Sequence, residues 1–437
     1  MGSRVILLTL GTVGDIYPFI ALSKALGENG HDVTLFTSSD YEAMVSRHGI
    51  SFQPICDDLE HLLYSGLADI LRQKSALHLL ARPIAVKTLV HTLCHQLIAR
   101  TWEAMKDANI AIYHPSLAFV PELAAAANIS SVMACLQPTL PTRAFPFCLF
   151  GMRQTGPLNR ITYLLPDLLR TLVKRQARGF LLRCGITPRK DPPKHGDFVL
   201  NAFSKVLCPP PVDWPDNVAT TGEWIVPASW APDDTLRRFL QAGDPPIYVT
   251  LGSMPWNAKA NGNLLLEAAK HWGGRILIGT ASGGFGQIES SENILPIGHV
   301  PHHLLLPHLG AIVHHGGAGT TAAGLRAGLP TLVTPIVLDQ FFWGRRVEAL
   351  GAGPSPQRLS TMNAACLARA FDALLATPSY RISARAIAGQ MKNEDGLAAS
   401  LDVIDGVLSR ERQRPLLAGR PSRGACVENL MHARRPV

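Results

Sequence analysis

The sequence predicts an α/β protein built from two doubly wound parallel layers that face each other across a cleft. Two apolar runs of strand length, Val5–Leu10 and Ala311–His315, each lead into a glycine-containing turn and then a helical pattern. That alternation occurs on both sides of a segment too rich in proline to belong to either layer. Of the 437 residues, 47% are apolar and 17% charged, which supplies two cores and excludes a disordered chain.

The first layer opens with Val5–Leu10, a continuous apolar run suited to a strand buried on both faces. Pro18 suits the first turn of the helix that follows. Phe19, Leu22 and Leu26 repeat at helical spacing, and Gly30 is placed to end the helix before a strand at Asp32–Thr37. The alternation continues through a strand at Ile110–Tyr113, a helix from Pro121 to Asn128 and a strand at Ser130–Leu136. A Leu- and His-rich helical region fills residues 59–106.

The segment from Cys208 to Pro215 holds four prolines in eight residues, which forbids helix and central strand alike. The pattern then restarts with strands at Ile247–Leu251, Arg275–Gly279, Ala311–His315 and Thr331–Pro335. Helices alternate with them near Asn263–Trp272, Thr320–Ala327 and Gln340–Leu350. The predicted units are residues 1–207, a linker at 208–217, a second domain at 218–385, a helix at 386–409 that packs back on the first domain, and a basic tail at 410–437.

The net charge of +8 raises the question of a nucleic-acid partner, and its location answers it. Residues 410–437 carry seven arginines against two glutamates, so the body is nearly neutral and no nucleic-acid partner is expected. The tail reads as disordered and solvated, its charge also suiting weak contact with an anionic membrane surface. Eight scattered cysteines with no C-x-x-C pair fit reduced thiols, and Val5–Leu10 is too short for a signal-peptide core, so a cytoplasmic protein, peripheral to a membrane at most, is expected. The charge-free stretches Leu123–Thr142 and Pro296–Leu325 are broken by proline, glycine or histidine and do not read as membrane spans.

The densest chemistry is at Ala311–Thr321, where an apolar strand meets His314, His315 and a turn through Gly316, Gly317 and Gly319 into a helix at Thr320. Backbone N–H groups at such a helix start cradle anions, and the glycines let a phosphate approach the chain. Neither G-x-x-x-x-G-K-[ST] nor, after the first strand, G-x-G-x-x-G is present, so the turn alone is also compatible with a purely structural role. Asp15, just beyond the first strand in Gly11-Thr-Val-Gly-Asp, is either a helix cap or a general base facing the cleft. Asp339-Gln340 taken alone is a helix start. Histidines 299, 302, 303, 308, 314 and 315 invite a metal reading, but no Cys or acidic partner shows ligand spacing and D-x-D is absent, so no metal is expected. His91-Thr-Leu-Cys-His95 lacks the glutamate of H-E-x-x-H and reads as an acceptor-pocket or core helix face.

The run His-His-Gly-Gly-Ala-Gly-Thr-Thr from His314, Leu325-Arg-Ala-Gly-Leu-Pro, Asp339-Gln340, Trp343-Gly-Arg-Arg and Leu350-Gly-Ala-Gly-Pro resembles the donor-site signature of the family-one GT-B glycosyltransferases. The resemblance is to the branch of sterol glucosyltransferases and bacterial antibiotic and natural-product glycosyltransferases. It extends through Gly11–Phe19, Cys135–Pro146, Thr221-Gly222 and Leu251–Met254, leaving out the basic tail and much of 59–106. It implies the GT-B fold, two Rossmann-like domains, with an acceptor-binding N-terminal half and a donor-binding C-terminal half. Carried over, it gives His314, His315 and the turn Gly316–Thr320 to the donor diphosphate, Ser253 to the same phosphates, Asp339 and Gln340 to donor sugar hydroxyls, and Asp15 to the acceptor proton. Val300-Pro-His-His-Leu-Leu-Leu-Pro departs from the branch's V-P-H-D-W-L-F-P by His303, Leu304 and Leu306, in the stretch that helps form the nucleotide-base pocket.

The expectation is therefore an inverting, metal-independent transfer of a hexose from a nucleoside diphosphate sugar, UDP-glucose first and a dTDP-sugar second, to a hydroxyl of an apolar acceptor. Sterol, lipid, polyketide and other natural-product aglycones all fit. The nucleotide sugar is a co-substrate, and no cofactor is expected. The rivals are a nucleotide-sugar epimerase or hydrolase on the same fold, and a non-catalytic homologue that activates a partner glycosyltransferase.

Overall fold

A computed structural model describes residues 2–57, 83–153, 156–252, 257–280 and 283–413, with the backbone alone over 83–93 and 412–413. The chain forms two parallel sheets flanked by helices. In the N-terminal half the elements run β1 (Arg4–Leu8), α1 (Val13–Glu28), β2 (Asp32–Ser38), α2 (Glu42–Ser46), β3 (Ser51–Cys56), α3 (Pro83–Ala104), β4 (Ile110–Tyr113), α4 (Val120–Ala127), β5 (Ser130–Cys135), α5 (Leu164–Arg183), β6 (Phe198–Asn201) and β7 (Val218–Thr220). Their sheet order is β3-β2-β1-β4-β5-β6-β7. The reversal of direction beside β1 opens a crevice at the carboxyl ends of β1 and β4, where α/β sheets bind ligands.

The C-terminal half runs α6 (Asp234–Gln241), β8 (Ile247–Thr250), α7 (Ala258–Trp272), β9 (Ile276–Gly279), β10 (Ile294–Ile297), α8 (His302–Leu305), β11 (Ala311–His314), α9 (Ala318–Arg326), β12 (Thr331–Val333), α10 (Gln340–Ala349), α11 (Ala364–Ala376), α12 (Pro378–Met391) and α13 (Gly396–Gln413). Its sheet order, β10-β9-β8-β11-β12, has the corresponding switch point between β8 and β11. Both faces of each sheet are covered, which is why Val5–Leu8 and Ala311–Val313 are unbroken apolar runs at 1% exposure or less. A further apolar cluster joins the halves: Phe145, Cys148, Phe203 and Leu207 from the first pack with Leu325, Val333, Phe342 and Trp343 from the second.

Two differences from the sequence reading concern a helix start and the domain layout. Helix α1 begins at Val13, so Pro18 lies inside it and not in its first turn; Thr12 and Asp15 close the N-terminus upstream. The proline segment does not lead into the second domain, because β7 follows it and pairs in parallel with β6. Asp213 ties the segment to the first half by accepting from Thr142 Oγ1 (2.6 Å) and the Arg143 N–H (2.9 Å), so the chain crosses over after Thr220 and not at 208–217. Proline content announces a break in regular structure without saying which sheet the next strand joins.

The last helix returns to the first domain. Ile404, Val407 and Leu408 enter the core beneath α1, Trp224 Nε1 donates to Ser400 Oγ (2.7 Å), and Asp405 pairs with His31 (3.2 Å) and accepts from Asn29 (3.1 Å). This helix spans Gly396–Gln413, so Arg410, stacked over Phe198, and Glu411, which accepts from Ser130, belong to it and not to a tail. Residues 59–82 of the expected Leu-rich helical region and 414–437 of the basic tail lie outside the described residues.

Candidate active site

Asp15 stands at the carboxyl end of β1, in the third position of α1. Its Oδ2 accepts from the Thr12 N–H (2.8 Å) and from Thr12 Oγ1 (3.2 Å), so the carboxylate does cap the helix. Its Oδ1 faces Nε2 of His114 at 3.8 Å, and the Asp15 side chain keeps 17% of its surface exposed. One oxygen is thus committed to structure and the other is turned towards the crevice residue.

His114 did not emerge from the sequence. It directly follows β4, the strand beside β1, and its Nδ1 accepts from the Ser116 N–H (3.3 Å) and lies 2.8 Å from Ser116 Oγ. The Ser116 N–H donating to Nδ1 favours the tautomer with the proton on Nε2, an atom that is buried, points at Asp15 and has no hydrogen-bond partner among the described residues. Burial lowers the His114 pKa, with Asp15 opposing, so the ring is neutral. The available signal was a histidine placed directly after the apolar strand Ile110–Tyr113, at the end where α/β sheets carry their sites.

In the second half, His314 ends β11 and is fully buried. Its Nδ1 accepts from the Gly316 N–H (2.9 Å), which leaves the proton on Nε2, a buried atom with no partner among the described residues. Burial holds its pKa well below the ordinary value, so it donates as a neutral ring and not as a cation. His315 is also neutral, its pKa lowered to about 4 mainly by burial. Its ring fits between two glycines: a Cβ on Gly252 would fall 2.3 Å from Cε1, and one on Gly317 would fall 2.6 Å from Nε2.

Gly316 takes φ +95°, and α9 then starts from Gly317 without a side-chain cap. The first N–H groups of α9 therefore have no side-chain cap, and a Cβ on Gly319 would meet nothing within 4 Å. Asp339 and Gln340 follow β12 at the start of α10. Asp339 is buried, its Oδ2 accepting from Trp343 Nε1 (2.9 Å), and its pKa is raised to about 7 by burial, with Asp15 adding repulsion. Gln340 Oε1 accepts from the N–H groups of Ile336 (2.7 Å) and Val337 (3.0 Å), so its carbonyl shapes the loop after β12. Ser253 lies outside the described residues.

The two sets meet across the cleft. Tyr17 of α1 stacks on His299 of the second half, with ring centroids 5.7 Å apart, planes at 10° and the hydroxyl 3.3 Å from Nε2. Arg345 of α10 donates to the carbonyls of Gly151 (3.2 Å) and Met152 (2.6 Å). Among the described residues no three of His, Cys, Asp and Glu gather as a metal site. His95 packs edge-on against Phe180 on the core side of α3, and the side chain of His91 is outside the described residues.

Comparison with known proteins fits this arrangement. Residues 5–113 match the glycosyltransferase family 28 N-terminal domain, and residues 265–397 match the C-terminal domain of the erythromycin biosynthesis protein CIII-like family. The chain belongs to the family-one GT-B glycosyltransferases. Within them it is 32% identical over 429 residues to a sterol 3-beta-glucosyltransferase of Yarrowia lipolytica, covering 91% of this chain and 28% of that protein. It is 29% identical to the sterol 3-beta-glucosyltransferase UGT80B1 of Arabidopsis thaliana, over 94% of this chain and 69% of that one. The chain thus spans under a third of the length of the fungal relatives it matches. The GT-B fold is shared with the calicheamicin glycosyltransferase CalG4 at TM-score 0.67 and 18% identity, covering 94% and 99% of the two chains. The glycosyltransferase VinC, solved with dTDP, matches at TM-score 0.62 and 19% identity over 93% and 100%. No described helix of this GT-B chain is long and apolar enough to cross a membrane.

Proposed function

We propose that the protein transfers a hexose from a nucleoside diphosphate sugar to the hydroxyl of a sterol or related apolar acceptor, with inversion and without a metal ion. The observation that carries the reading is the pair of half-sites facing across the cleft: Asp15 with His114 on one side, and the uncapped start of α9 with His314 and Asp339 on the other. Similarity to sterol glucosyltransferases over 91–94% of this chain supports the acceptor class.

In this reading the diphosphate lies on the N–H groups at the start of α9, where the helix dipole and the neutral His314 Nε2–H oppose its charge as the bond to the sugar breaks. Asp339 accepts from sugar hydroxyls. Asp15 Oδ1 takes the acceptor proton as the acceptor oxygen attacks the anomeric carbon from the face opposite the leaving diphosphate. His114 Nε2–H orients that carboxylate. UDP-glucose is the first donor to test and a dTDP-sugar the second.

Incubation with UDP-glucose and a sterol in EDTA should yield a β-linked glucoside and UDP in equal amounts. An α-linked product would overturn inversion. UDP release without a glucoside would favour a hydrolase, and a glucoside formed only with added divalent cation would overturn metal independence.

A further inference from the structure

Helix α5 buries one face and leaves a second apolar face uncovered. Tyr163, Pro166, Ala177, Phe180 and Leu181 pack inward, the last three against the cluster holding Ile98, Trp102 and Leu123. Leu164, Leu165, Leu168, Leu169 and Leu172 face outward at 45–66% exposure. At the 3.6-residue period they fall within an arc of about 140°, opposite the buried side. Leu158 and Ile161, each 58% exposed, extend the stripe through the preceding turn, and Phe150 and Met152 continue it. Scattered surface leucines need no explanation, but a continuous stripe of this length does.

The charge around the stripe says what it meets. Between residues 153 and 183 there are seven Arg and Lys and a single acid, Asp167. Asp167 is turned away, paired with Arg170 (3.2 Å) and Lys194 (3.0 Å). Arg153 and Arg160 at one end and Arg175 and Arg183 at the other are all exposed. A leucine face rimmed by cations, on a helix too polar to span, is the pattern of a segment lying in the headgroup plane of an anionic bilayer. We infer that this face, formed by residues 150–153 and 156–175, seats the protein on an anionic lipid surface. The stripe begins beside the cleft, where Gly151 abuts Phe341 next to Gln340 and Arg345 holds the carbonyls of Gly151 and Met152. A bilayer-resident acceptor would then enter from the lipid side; that consequence rests on the proposed acceptor class, whereas the docking does not.

The test reads binding and not turnover. Full-length protein is floated with vesicles of phosphatidylcholine alone and with about one-third phosphatidylserine, beside a Leu164→Ser/Leu168→Ser/Leu172→Ser variant and a chain cut after Gln413. The expected result is flotation with the anionic vesicles, a loss of about tenfold or more in partition for the leucine variant, and retention by the shortened chain. Circular dichroism and melting temperature of the leucine variant should match the parent, since the replaced side chains are exposed. Equal flotation of the leucine variant, or loss confined to the shortened chain, would overturn the inference in favour of the tail. Absence of flotation would also overturn it, and sedimentation equilibrium would then show whether a second copy covers the face.

Discussion

Oδ1 of Asp15 lies 3.8 Å from Nε2 of His114, although the two residues come from different strand ends and are 99 positions apart in the chain. Because Thr12 occupies the other oxygen of Asp15 and Ser116 holds the other nitrogen of His114, each side chain is oriented by its own loop before the two meet. A carboxylate held in this way has one oxygen spent on the helix cap and the other turned to the crevice.

Asp15→Asn separates the two roles of this side chain. Asparagine still accepts from the Thr12 N–H, so the helix start and melting temperature should be nearly unchanged. A lost general base costs about 10²–10⁴-fold in kcat, with donor affinity preserved. Near-normal turnover would leave Asp15 as a cap alone.

Much of this was legible locally. The strand, glycine turn and helix at Ala311–Thr321 and the helix start at Asp339 are short-range signals, and both stand within two residues of where the sequence placed them, α9 starting at Ala318 and not at Thr320. The Asp15–His114 pair was not, because β1 and β4 become neighbours through a crossover that spans β2, β3 and α3. The exposed face of α5 was hidden for a different reason: a leucine stripe at helical spacing reads the same whether it faces a core or a bilayer. The position of β7 depended on which sheet had an edge to offer, and no residue in 218–220 reports that.

His314 offers a test of the diphosphate cradle that avoids emptying the core. His314→Asn places an amide oxygen near the position of Nδ1, keeping an acceptor for the Gly316 N–H while removing the Nε2–H. UDP affinity measured by calorimetry should fall by roughly tenfold, as for one lost hydrogen bond, and should be the same with and without EDTA. Loss of parent binding on chelation would point to a metal-held diphosphate.

Two glycines three positions apart should respond differently to alanine. At Gly316, φ +95° and a Cβ 2.6 Å from Val333 Cγ1 and 2.8 Å from Gln340 O predict destabilisation of about 1–3 kcal/mol, visible in chemical denaturation. At Gly319 a Cβ meets nothing within 4 Å, so Gly319→Ala should fold as well as the parent or slightly better. Its UDP affinity should nevertheless fall, because the methyl group occupies the space where a phosphate approaches the helix start. Unchanged affinity would move the diphosphate away from this turn.

Asp339 makes donor binding pH-dependent in a direction that can be stated in advance. Its pKa in the folded protein is about 7, raised from 3.8 mainly by burial, so near neutrality the carboxyl is part-protonated. The folded state then holds a proton that the unfolded chain releases near pH 4; this stabilising contribution is present at low pH and fades as the pH rises towards 7. Asp339→Asn, which still offers Trp343 an acceptor, should remove that decline from the stability profile. Sugar hydroxyls donate, so they favour the ionised form. Affinity for UDP-glucose, whose own phosphates do not titrate in this range, should rise by roughly tenfold between pH 6 and pH 8, following the ionised fraction of Asp339. In Asp339→Asn the sugar's contribution should be weaker and flat with pH. The same rise in Asp339→Asn would show that Asp339 does not touch the sugar.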